Sequence, residues 1–159
     1  MAVIKGAVLF GHKPKEIRSR IMRKTYGCGT MTNFDDSIHS QSREHIIAGT
    51  RYCKNIFKVF VEQGEEKDVG SQERHTVYTV AMLQQHVKID LFCMDRKPRN
   101  LDYVDESYCT KVGSFMVNTP GIGPGRPVHL DITFGGTEIQ IEGQASGEKS
   151  EAKIDFMSN

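Results

Sequence analysis

The chain has 159 residues, 38% hydrophobic and 26% charged, with no Trp; this length and mixture suit one domain with a sizeable core. Its 21 basic and 20 acidic residues leave a formal net charge of +1, so no global field draws in nucleic acid or an anionic membrane. No apolar run approaches the roughly 20 residues that a membrane-spanning helix needs, and residues 1–10 lack a cleavable-signal layout.

Residues 2–10 are apolar almost all round and stop at Gly11, a natural C-cap, with Pro14 shortly after. They predict a short, buried helix with little of its own to pack against, which points to a piece cut from a longer protein. Residues 13–24 carry six Lys or Arg around Ile17, Ile21 and Met22. They fit a basic amphipathic segment or a strand-bearing linker, with a solvated connector as the plainer reading. Two glycines then flank Cys28, but neither a following Lys-Ser/Thr nor a GxGxxG spacing supports a phosphate loop.

Residues 33–50 are polar, show no sustained period and predict a long loop, a kind of segment that tends to be functional or disordered. His39 and His45 lie in it and, without a third ligand in reach, read as solvent-exposed loop residues rather than a metal site. Residues 56–61 fit both periods, and their β-branched and aromatic content favours a strand. A polar connection leads to a strand over residues 76–80. Residues 87–93 alternate cleanly after a short turn at 84–86 and read as its hairpin partner. Residues 112–117 add another strand. The most regular stretch follows: Val128, Leu130, Ile132 and Phe134 alternate with His129, Asp131 and Thr133, and Ile139 and Ile141 resume the pattern. Gly135 and Gly136 between them offer the positive φ of a tight hairpin turn. Residues 153–157 close a series of about seven or eight strands, for which a two-layer antiparallel β-sandwich is the economical answer.

Cys28, Cys53, Cys93 and Cys109 form no Cys-x-x-Cys pair, so the usual zinc signature is missing. Cys53 and Cys93 sit in apolar runs where a free cysteine packs as a small core residue, which favours a reduced, cytoplasmic setting over two disulfides.

Gly-Ser-Phe-Met-Val (113–117), the Pro/Gly-rich run 120–127, Val-His-Leu-Asp-Ile-Thr-Phe (128–134) and Glu-Ile-Gln-Ile (138–141) follow one another in an order that resembles the substrate-binding domain of seventy-kilodalton heat-shock chaperones. The match is closer to their atypical 12A/12B branch, which Thr25-Tyr-Gly-Cys-Gly, Gly49-Thr-Arg-Tyr-Cys53 and Lys153-Ile-Asp-Phe156 also resemble. Residues 2–11 look like the last helix of that branch's nucleotide-binding domain, so the similarity runs essentially end to end.

The resemblance implies a mainly β fold: a two-layer antiparallel sandwich of the heat-shock substrate-binding type, with a short N-terminal helix and no C-terminal helical lid. Residues 1–14 would be the terminal helix of a missing nucleotide-binding domain plus the start of a linker, and residues 15–159 the binding domain with its long polar loop 33–50. In such domains an extended client peptide lies in a channel between two inner loops, held by backbone hydrogen bonds and one apolar pocket. By position, Thr30, Met31 and Thr32 would begin the first inner loop, Tyr78 and Ala81 would flank the second, and Val87 and Ile89 would line the pocket. Tyr78, Val87 and Ile89 also sit at a strand period that fits ordinary core residues.

ATP and its hydrolysis would belong to the missing domain, leaving this chain with no cofactor, no metal and no catalytic residue. The implied partners are exposed apolar segments of client proteins, the chain's own nucleotide-binding domain, and a second copy through the N-terminal helix, with no nucleic acid and no membrane. The sequence departs from the common chaperone pattern in its basic linker, residues 12–20, and in the expanded polar stretch 33–50. Those departures keep open an alternative, an adaptor sandwich that holds one folded partner through its long loop and faces.

Overall fold

A computed structural model describes residues 18–155, and the expected helix at 2–10, the first part of the linker and the end of the 153–157 strand lie outside them. Among the described residues eleven strands run in order: β1 (Ser19–Ile21), β2 (Thr25–Asn33), β3 (Glu44–Ile47), β4 (Thr50–Val61), β5 (Glu66–Asp68), β6 (Gln72–Tyr78), β7 (His86–Met94), β8 (Cys109–Asn118), β9 (Pro127–Phe134), β10 (Glu138–Ala145) and β11 (Glu148–Asp155). Among the described residues the one helical element is a 3-10 turn at Gln41–Arg43.

Two antiparallel sheets carry the fold, one ordered β11-β10-β9-β6 and the other β3-β4-β2-β7-β8, while β1 and β5 form a separate two-stranded ribbon. Inward-facing residues of both sheets meet in one core. Val77, Val128, Leu130, Ile132, Ile139, Ile141 and Ile154 supply one layer, and Tyr26, Cys28, Phe60, Ile89, Leu91 and Val117 the other. Fully burying each such aliphatic side chain is worth roughly 1.5–3 kcal/mol, which makes this shared layer the main source of stability. A smaller cluster, Phe57, Met94 and Val104, lies under residues 95–108. Phe92 and Met94 alternate along β7 with Leu91 and Cys93, so this cluster belongs to the other face of the five-stranded sheet.

The hairpin expected about residues 135–136 is present, with Phe134 opposite Ile139 and Leu130 opposite Gly143. Its glycines act differently from expectation: neither lies among the residues with positive φ. Gly135 is instead constrained by closeness, since a Cβ there would stand 3.0 Å from the Glu138 carbonyl oxygen. The four cysteines are free thiols as expected, with Cys28, Cys53 and Cys93 buried. Burial pushes the Cys28 thiol up to about 12 and that of Cys109 up to about 11, so both stay protonated at neutral pH.

Three expectations need correction. Strands 76–80 and 87–93 are not a hairpin: β6 pairs with β9 and β7 pairs with β2 and β8, so the chain crosses between layers at residues 79–85. Alternation fixes which face is buried and leaves the partner open, and Val77 and Ile89 face one core from opposite sheets. Residues 33–50 are not one long loop, because β3 folds back on β4 through Ala48 and Gly49 at φ 51° and 82°. Its ordering comes from charge: Arg51 pairs with Asp36 and Glu44 and lies over the Phe34 ring. His39 is buried, not exposed, with Nδ1 accepting the Asp35 amide at 2.9 Å and its ring against Phe34.

Candidate functional site

β2 and β7 are partners at one end only. Thr25–Cys28 pair with Leu91–Met94, yet β2 runs on to Asn33 and β7 begins at His86. The gap between the unpaired lengths holds a cavity of about 340 Å³, lined on one side by Gly29, Thr30 and Met31 and on the other by Val87, Lys88 and Ile89. Val77 and Tyr78 close it from the opposite sheet and Val80 from the segment that follows, and a second cavity of about 620 Å³ continues past Thr30, Met31 and Tyr78 toward Thr32, Tyr52 and Ile56.

Main-chain groups line both walls. The Thr119 amide donates to the Gln85 carbonyl at 2.8 Å, which places Val87 and Ile89 in the hydrogen-bonded register with β8 and turns the amide and carbonyl of Lys88 toward the gap. Across it, the Thr79 amide donates to the Arg126 carbonyl at 3.0 Å. By the same alternation Thr76 and Tyr78 aim their backbone groups away from β9, on the edge where β6 has no strand partner. The cleft thus joins an apolar floor to unpaired edges that an extended chain can complete.

The segment over this cleft, residues 79–85, is held in shape by side chains. Gln84 Oε1 accepts the amides of Val80 and Ala81 at 2.9 and 3.3 Å, and Gln84 Nε2 donates to the His86 carbonyl. Arg126 ties it to the neighbouring 119–125 loop, its guanidinium donating to the carbonyls of Thr119, Gly123, Gln84 and Met82. A planar five-donor group suits several fixed acceptors at once, and no other side chain offers that fork. The Arg126→Ala variant is expected to lose about 2 kcal/mol, the scale of hydrogen bonds to a charged donor. Amide exchange should speed up at residues 80–84 while the β9–β10 hairpin is unaffected. Unchanged exchange in 80–84 would show that the clamp is idle.

Of the residues expected at a binding site, Thr30, Met31, Tyr78, Val87 and Ile89 all border the first cavity and Thr32 borders the second. Ala81, half-buried in the overlying segment, borders neither. Tyr78 is 59% exposed, so it is a rim residue and not core, whereas Val87 and Ile89 belong to the core and to the cavity floor together. Gln84 and Arg126 were not anticipated. The available signal was a lone Arg inside a Gly/Pro-rich loop, where loop carbonyls lack strand partners. His45 is exposed on β3, and the described residues contain no cluster of three metal-capable side chains. None of their helices is long and apolar enough to cross a membrane.

Comparison with known proteins gives the class first: the chain is similar to atypical seventy-kilodalton heat-shock proteins over its whole length. It is 28% identical over 171 residues to heat shock 70 kDa protein 12B of Homo sapiens, a match covering 100% of this chain and 25% of that protein. It is 24% identical over 164 residues to heat shock 70 kDa protein 12A of Homo sapiens, covering 99% of this chain and 24% of the relative. The Mus musculus heat shock 70 kDa protein 12A aligns at 24% identity over 88% of this chain. The chain therefore spans about a quarter of the length of these curated relatives. No protein-family profile matches it.

Proposed function

We propose that the chain is a chaperone-type client-binding module, of the heat-shock substrate-binding kind, that takes extended apolar segments of other proteins into the cleft between β2 and β7. The observation that carries this is the splitting of β2 from β7 beyond the Cys28–Leu91 pair, which leaves a cavity of about 340 Å³ floored by Val87 and Ile89 and edged by unpaired backbone. Main-chain pairing gives affinity that tolerates many sequences, and an apolar floor adds a preference for aliphatic side chains. Met82 and Leu83 on the overlying segment and Ile122 on the adjacent loop, though outside the cavity linings, are exposed apolar groups, suited to a first contact with a greasy client. The module works as a binder; ATP, and coupling to a nucleotide-binding domain, belong in this reading to the longer protein, with residues 1–14 as the join.

The test fills the floor. Val87→Phe occupies room that an aliphatic client side chain would take, whose burial is worth roughly 1.5–3 kcal/mol, so affinity for aliphatic peptides should fall about tenfold or more. The empty space beside Val87 gives the larger ring somewhere to go, and the melting temperature should move little. If Val87 were only core, overpacking would cost about 1–3 kcal/mol of stability and leave affinity alone. Tyr78→Ala, on the exposed rim, provides an arm with no packing cost. Unchanged peptide affinity in both variants sinks the reading, and failure to bind any short peptide favours an adaptor for one folded partner.

A further inference from the structure

The cleft is bordered by an excess of positive charge. Its charged walls consist of Lys54, Lys88 and Asp90 in the first cavity, beside His45, and Lys58 in the second. Asp90 is already neutralised, its Oδ1 standing 3.2 Å from Lys111 Nζ and 3.8 Å from Lys88 Nζ. Lys54 and Lys58 make no ion pair among the described residues. On the adjoining segment, by contrast, Arg43 is tied to Asp105 and Glu106, and Arg51 to Asp36 and Glu44. The two unpaired ammoniums border different cavities, and those cavities meet at Thr30, Met31 and Tyr78.

We infer that the cleft selects extended apolar segments that carry acidic residues on either side of the apolar core. The selection rests on the client-binding reading above and names its substrate class. An apolar residue settles on Val87 and Ile89 while flanking carboxylates reach Lys54 on one side and Lys58 on the other. Each contact is an exposed ion pair and individually weak, but together they separate acidic from basic flanks by on the order of tenfold in affinity. With a formal net charge of only +1 on the whole chain, the preference is local to the cleft and is not a general attraction for polyanions.

Three nine-residue peptides with the same leucine core and Glu, Ser or Lys flanks distinguish the possibilities, with binding to the 159-residue chain followed by fluorescence anisotropy. The Glu-flanked peptide should bind about tenfold tighter than the Lys-flanked one, with Ser between, and the ranking should compress in high salt. The Lys54→Glu/Lys58→Glu double variant should invert the ranking, and a ranking that keeps the wild-type order in it overturns the inference. Equal affinity for all three peptides overturns the inference while leaving the client-binding reading in place. Equal affinity for a Glu peptide lacking leucine, or for phosphatidylserine vesicles, also overturns it, because the lysines would then be a bare charge patch. Failure of the Ser-flanked peptide and both others to bind removes the two readings together.

Discussion

Gly27→Ala should cost at least about 4 kcal/mol, a size reserved for specific mechanisms, and lower the melting temperature by roughly 8–16 °C at 2–4 °C per kcal/mol. Gly27 is the third residue of β2, paired with Val59 on one side and Phe92 on the other. The register shifts between Tyr26–Val61 and Gly27–Val59, leaving Phe60 as the extra residue of a bulge. That bulge lets consecutive Phe60 and Val61 both enter the core. It also presses β4 onto β2: a Cβ on Gly27 would lie 2.1 Å from the Lys58 carbonyl oxygen and 2.6 Å from the Phe57 ring. Backbone cannot yield as a flexible side chain can, so the strands must part and the core beneath them must open. Gly136→Ala, where a Cβ meets nothing within 4 Å, is the control and should melt with the wild type. A Gly27→Ala protein melting within about 2 °C of wild type would contradict the close approach.

How much of this was legible beforehand follows from which faces are wet. From Val128 onward β9, and all of β10, alternate buried and half-buried residues, because one face of each meets the core and the other meets solvent. A strand of that kind writes its period into the sequence. β3 is exposed or half-buried at every position and therefore carries no period to read; it is ordered by ion pairs that a one-dimensional pattern does not show. Sheet membership was equally hidden, since Val77 and Val87 look like successive hairpin strands until the long-range ladders separate them.

The site divides in the same way. Thr30, Met31, Tyr78, Val87 and Ile89 were placed by resemblance, and the fold brings them around one cavity because β2 leaves β7 at Cys28. Nothing local announces that separation, as it depends on where pairing stops. Lys58 falls inside the expected 56–61 strand and Lys54 just before it, and only the three-dimensional arrangement sets them beside the cavities.

Asp102→Ala is the second large loss, at about 3 kcal/mol, and it tests how the far face of the five-stranded sheet is closed. The Asp102 carboxylate is 4% exposed, and it accepts Arg96 Nη2 at 2.7 Å and the Arg99 amide at 2.7 Å. Its carbonyl accepts the Phe57 amide at 2.9 Å, and the Val104 amide donates to the Asn55 carbonyl at 2.9 Å. These bonds pin residues 95–108 onto β4, over Phe57, Met94 and Val104. Removing the carboxylate takes away the acceptor of the Arg99 amide and uncouples Arg96 from its buried partner, for which the general range is 3–5 kcal/mol. Arg96 is 24% exposed and regains some water, so the low end applies. The charge has its own signature. Burial alone would push the Asp102 carboxyl up, but Arg96 and the Arg99 amide outweigh it and hold it below the usual carboxylate range. A depressed folded value means stability that is fully present above the unfolded pKa of about 3.9 and lost as pH falls through the folded one. Asp102→Asn keeps the shape without the charge, so its deficit against wild type should be complete at about pH 6 and shrink below about pH 4. A deficit that stays constant down to about pH 2 would assign the anchor to shape and neutral hydrogen bonding, with no part for the Arg96 charge.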